Sequence, residues 1–180
     1  MSKVVILTGS PSASSRLNGL TQYLHGKLSE ANIDIEVIQV IDLPPEDLVY
    51  ANFGSSSIVA ANEKIATAEA VIIASPVYKA SFTGVLKSYI DLLPQKGFEG
   101  KLIAPIFIAG TMAHLLSIDY SLKPVLASMG ARHFTKNVYT TDQAVTRMQN
   151  EQGEYQFSIE EEVVSRLDET IEELIAYLNK

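Results

Sequence analysis

The chain has 180 residues, of which 47% are hydrophobic, and this is enough to build the core of one domain. It contains no cysteine, which excludes disulfides, thiol catalysis and Cys-ligated metal or iron–sulfur centres. The formal net charge of −7 argues against a nucleic-acid-binding protein. No apolar run approaches the roughly 20 residues that a membrane helix requires.

Location and metal binding can also be anticipated from the sequence. The chain enters a strand-like segment directly, without a basic region followed by a signal core, so we expect a cytoplasmic protein without a membrane partner. The histidines His25, His114 and His133 do not have a spacing typical of metal ligands, so we expect no metal site.

Strand-like and helix-like segments alternate along the chain, with no internal repeat and no linker. The predicted strands are Lys3–Thr8, Ile35–Val40, Ala70–Ala74, Leu102–Ala109 and Phe134–Tyr139. The first four helical patterns lie near residues 17–31, 57–68, 84–93 and 115–129. The third and fourth strands are almost uninterrupted apolar runs, which is typical of strands buried on both faces of a parallel sheet.

The last helix has the clearest pattern. Ser158-Ile159-Glu160-Glu161 reads as a capping box. An apolar stripe at helical spacing follows, made of Ile159, Val163, Leu167, Ile171, Leu174 and Leu178. We therefore predict one α/β domain over residues 1–180, a doubly wound, flavodoxin-like three-layer sandwich. Its five-stranded parallel sheet has the order 2-1-3-4-5, with helices on both faces.

In such a sheet, ligands bind beyond the carboxyl ends of the strands, where the loops after strands 1, 3 and 4 would meet. The first of these loops, residues 9–16, is dense in hydroxyls and leads into a helix. A Walker A loop would need Gly and Lys at Ser14 and Ser15, and a dinucleotide fingerprint would need Gly at Pro11. The loop therefore predicts a site for one monophosphate, such as that of FMN.

Four residues of this first loop are candidate phosphate-binding residues: Ser10, Ser15, Arg16 and Leu17. Free amides at a helix N-terminus attract an anion, and hydroxyls with an arginine add further donors. The alternative is a serine-rich turn that only caps the helix.

The second loop follows strand 3 and contains Pro76, Val77, Tyr78 and Lys79. Pro76 fixes the exit from the strand and leaves backbone amides free to face a heteroaromatic ring. A flavin edge needs such donors and a flat apolar surface, so we expect these residues to line a flavin or an incoming nicotinamide. The alternative is an ordinary connection that carries a surface tyrosine.

The third loop follows strand 4 and contains Gly110, Thr111 and His114. Glycine permits close approach of the backbone, Thr111 offers a hydroxyl, and His114 could bond the flavin or cap the next helix. We assign no catalytic acid or base, because hydride transfer between nicotinamide and flavin is the chemistry of the cofactors.

Several motifs at these loops resemble a known family. They are Gly9-Ser10-Pro11, Ser75-Pro76-Val77-Tyr78-Lys79-Ala80, Gly84-Val85-Leu86-Lys87 and Ile90-Asp91-Leu92-Leu93-Pro94. Together they are similar to the NADPH-dependent FMN reductase family, over roughly residues 3–135. Residues 110–126 and 45–51 resemble its branch that serves two-component alkanesulfonate monooxygenases. The resemblance implies reduction of FMN by NADPH, a homodimer or homotetramer, and release of FMNH2 to a partner monooxygenase.

The sequence departs from the family in one place. Many relatives carry Arg three residues after the loop glycine, where this chain has Ser12, and Arg16 could take over that role. The segment from about residue 140 to residue 157 matches nothing, so its role is open.

Pro124 lies inside the apolar pattern of the predicted helix 115–129. Since proline has no amide hydrogen, the carbonyl of Tyr120 loses its usual partner, and we expect a bulge or kink there. The resemblance implies that this tyrosine belongs to a π-helical insertion at a subunit interface beside the flavin. The alternative is a buried tyrosine in a bent helix.

Three other functions remain open. The same fold could hold FMN tightly and reduce quinones or azo dyes with NAD(P)H. It could be a flavodoxin-type electron carrier, although such carriers usually shield the flavin between aromatic rings and this chain has no Trp. A non-catalytic nucleotide-binding module would not need three aligned loops.

Overall fold

A computed structural model describes residues 3–179. The strands are β1 (Lys3–Thr8), β2 (Asp34–Gln39), β3 (Ala70–Tyr78), β4 (Ser81–Phe82), β5 (Leu102–Ala109), β6 (His133–Phe134), β7 (Val138–Thr141), β8 (Val145–Gln149) and β9 (Tyr155–Ile159). The helices are α1 (Leu17–Glu30), α2 (Pro45–Val49), α3 (Ser56–Thr67), α4 (Gly84–Ile90), α5 (Lys123–Ser128) and α6 (Glu161–Leu178). None of the helices within these residues is long and apolar enough to cross a membrane.

The main sheet has the strand order β2-β1-β3-β5-β6, and β7 also pairs with β5. All of these pairings are parallel. The predicted flavodoxin-like α/β class is confirmed. The strand numbers differ from the predicted 2-1-3-4-5 because the short strand β4 adds a number before the fourth long strand.

Alternate residues of each strand face opposite layers, as the pleat of a strand requires. Val5 and Leu7 of β1 pack in a core with α3, α4 and α5. Val4 and Ile6 pack in a second core with α1 and α6. Both faces of the sheet are therefore buried at its centre, which explains why β1, β3 and β5 are so largely apolar, whereas the edge strand β2 is partly polar and exposed.

The fifth predicted strand, Phe134–Tyr139, is not continuous. Ile103 of β5 pairs with Phe134 and Ile106 pairs with Val138, so the chain between these pairs has one residue more on the side of β6 and β7 than on the side of β5. The extra residue makes a bulge, which divides the strand into β6 and β7.

The predicted capping box at Ser158 is wrong. Ser158 pairs with Thr146 in the antiparallel β8–β9 hairpin, and the hairpin strand continues to Ile159. The helix α6 begins at Glu161, and no side chain in the described part of the chain caps it at Glu160. Strand pairing therefore takes precedence over the local capping signal. The apolar stripe is confirmed from Val163 onward, because its members are buried.

The segment of about residues 140–157, whose role the sequence leaves open, contains the end of β7 and most of the β8–β9 hairpin. Phe157 of this hairpin packs against Gly19 of α1. A Cβ atom at Gly19 would lie 2.7 Å from Cβ of Phe157, closer than real carbon atoms approach. The missing side chain of Gly19 therefore lets the hairpin lie directly on α1.

The expected distortion near Pro124 is present. Residues Ile118–Leu122 form a π-helical turn that leads into α5, and this confirms the bulge around Tyr120. Tyr120 is not buried, because 79% of it is exposed. Leu115, the first residue of the predicted apolar helix 115–129, is 48% exposed, since the irregular turns before α5 change the face that each residue presents.

Candidate active site

The loop between β1 and α1 is organised by its own serines. The Ser10 hydroxyl donates to the carbonyl of Ser12 at 3.1 Å, and it also lies 3.2 Å from the amide nitrogen of Ser12. The Ser15 hydroxyl accepts a hydrogen bond from the amide of Leu17 at 3.2 Å. Ser10 is buried, and the Leu17 side chain lies in the core beneath the loop. Ser10 and Leu17 therefore shape the loop, and Ser15 caps the first turn of α1.

Three loops meet in a cleft of about 180 Å³ at the carboxyl edge of the sheet. Six of the predicted site residues line it: Ser15, Arg16, Pro76, Val77, Tyr78 and Gly110. Six other residues that line the cleft were not among the predicted binding residues: Ser12, Ser14, Ile108, Ala109, Asp142 and Arg147. Residues from opposite ends of the chain thus share one small, polar space.

The donors of this cleft suit an anion. The buried Nε of Arg16 has no hydrogen-bond partner among residues 3–179. An N–H that is buried without an acceptor costs free energy, and a bound phosphate oxygen would remove that cost. The Ser12 and Ser14 hydroxyls lie 3.0 Å apart and bond to each other, so one of this pair, together with the Ser15 hydroxyl, supplies further donors at the same cleft. These residues fit a phosphate monoester of the kind that FMN carries.

A buried network joins the loop after β1 to the loop after β3. The Thr83 hydroxyl donates to the carbonyl of Gly9 at 2.6 Å and accepts from the amide of Leu86 at 3.0 Å, which caps α4. The amide of Thr83 in turn donates to the Ser75 hydroxyl at 3.1 Å. Both hydroxyl side chains are fully buried. One threonine therefore fixes the position of two loops that line the cleft.

Gly9 is required for this close approach. A Cβ atom at Gly9 would overlap Cβ of Leu86 and would lie 3.1 Å from its Cα atom. The loop after β1 consequently packs directly on the first turn of α4, and a side chain at Gly9 would force the two apart.

The strand β3 extends past its predicted end at Ala74 and continues to Tyr78. The chain then reverses through Lys79 and Ala80 into β4, with Tyr78 paired to Ser81. Lys79 and Ala80 have φ angles of 51° and 63°, as a tight hairpin turn of this hand requires. Neither residue is a glycine, so the turn is strained. Lys79 lies at the tip of the turn and does not line the cleft, whereas Tyr78 does and is 53% exposed.

The third loop contributes Gly110 to the cleft but not Thr111 or His114. The Thr111 hydroxyl accepts from the amide of Ala113 at 3.2 Å, and its carbonyl accepts from the Tyr139 hydroxyl at 2.7 Å. Burial also raises the pKa of Tyr139 above its ordinary value. Thr111 therefore holds the loop in shape.

His114 lines a second cleft, of about 430 Å³. The other residues of this cleft are Ala80, Ala113, Leu116, Ser117, Tyr120 and Ser121. The second cleft uses the same two loops as the first, since Ala80 follows Tyr78 closely and Ala113 follows Gly110. Beside it, Met112 and Leu116 are each more than half exposed, as is Tyr120.

Comparisons with known proteins agree with this geometry. A family model described as NADPH-dependent FMN reductase matches residues 2–146. An FMN reductase (NADPH) of Escherichia coli (strain K12) is 38% identical over 143 residues, which cover 79% of this chain and 75% of that protein. An FMN reductase (NADPH) of Pseudomonas putida is 38% identical over 142 residues, which cover 79% of this chain and 72% of that protein.

A solved structure supports the same assignment. The apo form of an NADH:FMN oxidoreductase superposes with a TM-score of 0.83 at 33% identity, covering 96% of this chain and 88% of that chain. Together with the family match and the curated relatives, it identifies the protein as an oxidoreductase. The chain belongs to the NADPH-dependent FMN reductase family, whose reaction uses FMN and NADPH.

Proposed function

We propose that this protein binds FMN across the 180 Å³ cleft, reduces it with NADPH and releases FMNH2 to a partner monooxygenase. Two observations carry the proposal: three segments of the chain meet in one cleft that Arg16 lines, and the buried Nε of Arg16 has no hydrogen-bond partner within the described chain. A phosphate at Arg16 would place the rest of an FMN molecule along the loops after β3 and β5.

The protein's own part in this reaction is binding and alignment. Ser15 and Arg16 would hold the phosphate, while Pro76, Val77 and Tyr78 would line the flavin ring. Gly110 has no side chain, so the ring could approach the backbone of the third loop closely. The bound flavin supplies the redox chemistry by accepting a hydride from the nicotinamide. Tyr78 is 53% exposed, so its side chain is accessible to that second ring.

A second subunit is part of the proposal. Met112, Leu116 and Tyr120 form an exposed apolar strip, with exposed fractions of 51%, 57% and 79%. Large apolar side chains clustered on a surface favour association with another chain. We expect Tyr120 to contact a second copy of this chain near the second cleft, which gives a homodimer or homotetramer. A Tyr120→Ala variant that kept the oligomeric state, flavin retention and turnover of the wild type would contradict this role.

Release of FMNH2 to a monooxygenase is supported by the sequence of residues 110–126 and 45–51, which resembles the alkanesulfonate branch of the family. A reductase that supplies another enzyme must let go of its flavin. We therefore expect the purified protein to be nearly colourless and to turn over added FMN. A tightly bound, yellow flavoprotein that reduces quinones or azo dyes faster than free FMN would favour the alternative reductase function.

The decisive experiment mixes protein, FMN and NADPH without oxygen and follows the oxidised-flavin absorbance at about 450 nm. Rapid bleaching that requires the protein supports the proposal. No bleaching would favour a flavodoxin-type carrier.

An Arg16→Gln variant should raise the KM for FMN about tenfold or more, because it removes a charged donor to the phosphate. Steady-state kinetics with NADPH and with NADH would give the preference between these two cofactors as a ratio of specificity constants.

A further inference from the structure

Arg147 reaches the phosphate loop from a segment beyond the family match. It lies on β8, one residue after the matched range of 2–146, and pairs with Phe157 of β9. Phe157 in turn packs on Gly19, in the first turn of α1. The hairpin is therefore fixed to the same helix whose N-terminus borders the cleft, which sets the position of Arg147 relative to the loop.

Two contacts orient the Arg147 side chain. Its Nη1 atom donates a hydrogen bond to the carbonyl of Ser14. The guanidinium carbon lies 5.2 Å from the centre of the Tyr155 ring, within the range of a cation–π contact. The side chain is exposed and lines the cleft beside Arg16. These contacts use one of the five N–H groups of the guanidinium and leave others for a ligand.

The charges in the cleft indicate what that ligand is. Among the described residues that line it, the charged ones are Arg16, Arg147 and Asp142. With Arg147 the cleft carries one more positive than negative charge, and without it the charges cancel. A phosphate monoester is close to a dianion at neutral pH, so a single arginine opposed by a carboxylate would hold it poorly. A second guanidinium can bond two phosphate oxygens at once.

We propose that Arg147 is a second phosphate-binding arginine, which closes the phosphate loop from the β8–β9 hairpin. The proposal rests on the proposed function, because that function brings phosphorylated nucleotides to this cleft. The group recognised is a terminal phosphate monoester. It is present both as the 5′-phosphate of FMN and as the 2′-phosphate of NADPH, and the experiment distinguishes these two sources.

The test compares ligand pairs that differ only in this phosphate. Binding of FMN and riboflavin is measured by flavin fluorescence without nicotinamide, and binding of NADPH and NADH is measured by nicotinamide fluorescence without flavin. The variant is Arg147→Gln. The matched control is Arg132→Gln, an exposed arginine that donates to the carbonyls of Ala127 and Ala131 at 2.8 Å and lines a different cleft.

We expect Arg147→Gln to weaken one phosphorylated ligand about tenfold and to leave its unphosphorylated partner within about twofold. A loss for FMN but not riboflavin assigns the flavin phosphate, and a loss for NADPH but not NADH assigns the 2′-phosphate. Arg132→Gln should change none of the four constants. The dissociation constants are measured without turnover. The test of Arg147 therefore gives a result even for a protein that has no reductase activity, so failure of this proposal and failure of the proposed function are distinguishable.

Two outcomes would overturn the proposal. One is unchanged affinity for all four ligands in Arg147→Gln. The other is an equal loss for both members of each pair, which would mean that Arg147 only braces the loop through Ser14. Should Arg147→Gln fail to fold, Tyr155→Leu removes the stacking face and retains the arginine. It should weaken the same phosphorylated ligand, by less than the charge removal does, and spare the unphosphorylated one.

Discussion

The Thr83 hydroxyl donates a hydrogen bond to the carbonyl of Gly9 at 2.6 Å, across 74 positions of sequence. The same hydroxyl caps α4 by accepting the amide of Leu86. The loop after β1 and the first turn of α4 are thus held by one oxygen atom that acts as donor and acceptor at once.

Replacing Thr83 by Val should therefore leave two buried backbone groups without partners, the carbonyl of Gly9 and the amide of Leu86. We expect a loss of about 2 kcal/mol in the free energy of unfolding, measured by urea titration. FMN affinity should fall as well, because the loop is released. Thr83→Ser retains the hydroxyl and should stay within about 1 kcal/mol of the wild type. Equal stability of the Val variant and the wild type would contradict the role of this network.

Gly9→Ala should destabilise the protein by about 1–3 kcal/mol, since the new methyl group would overlap the Leu86 side chain. The control is Gly26→Ala in α1, where an added Cβ would meet no other described atom within 4 Å. This control should gain about 0.5–1 kcal/mol from higher helix propensity. Thermal melting of the two variants gives shifts of opposite sign. A stabilised Gly9→Ala variant would mean that the loop can move away from α4.

The positive φ angles of the Lys79-Ala80 turn predict that a glycine substitution there stabilises the protein. Because Ala80 has a φ of 63°, Ala80→Gly should relieve strain and raise the free energy of unfolding by about 1 kcal/mol. Ala60→Gly, at an exposed position inside α3, should lose about 1 kcal/mol by the ordinary helix penalty. The comparison is made by urea titration of both variants. Losses at both positions would show that the turn is relaxed with alanine.

Tyr23 should make stability depend on pH in alkali. Burial and its hydrogen bond to Asp168, of 2.8 Å, raise the pKa of Tyr23 to about 12. The unfolded chain loses this proton near pH 10, so the contribution of Tyr23 is complete below pH 10 and is lost as the pH rises towards 12.

The check is a comparison of wild type with Tyr23→Phe by urea titration between pH 8 and about pH 11, where we expect their stability difference to stay constant up to about pH 10 and to shrink above it. Burial also raises the pKa of Tyr89, so the Phe variant should retain part of the wild-type slope. A stability difference that stays constant across the whole of this range would contradict the assignment.

The local pattern of apolar residues was sufficient to predict those strands that are buried on both faces. Strands such as β3 and β5 are buried on both faces, and their apolar runs reveal this directly. The two residues of β4 are too few to show a pattern, and the bulge between β6 and β7 depends on pairing with β5. The start of α6 was misplaced because Ser158 pairs in a hairpin that no local signal reveals.

The same distinction applies to the candidate site. Ser15, Tyr78 and Gly110 were predicted together because parallel strands bring the loops at their carboxyl ends to one edge. Asp142 and Arg147 were missed, since their place in the cleft depends on how the last third of the chain folds back. His114 lies in the neighbouring cleft, because the irregular turn before the π-helix carries it away from Gly110.

Gly19 links two parts of the molecule that would otherwise vary independently. Since Phe157 occupies the space where a side chain would stand, exchanging the 145–159 segment between homologues would succeed only when the recipient also has glycine at this point of α1. A bulkier residue at this position would displace the hairpin from α1. Arg147 would then lose its hydrogen bond to the carbonyl of Ser14. Chimeras of this family should therefore treat α1 and the hairpin as one exchangeable unit.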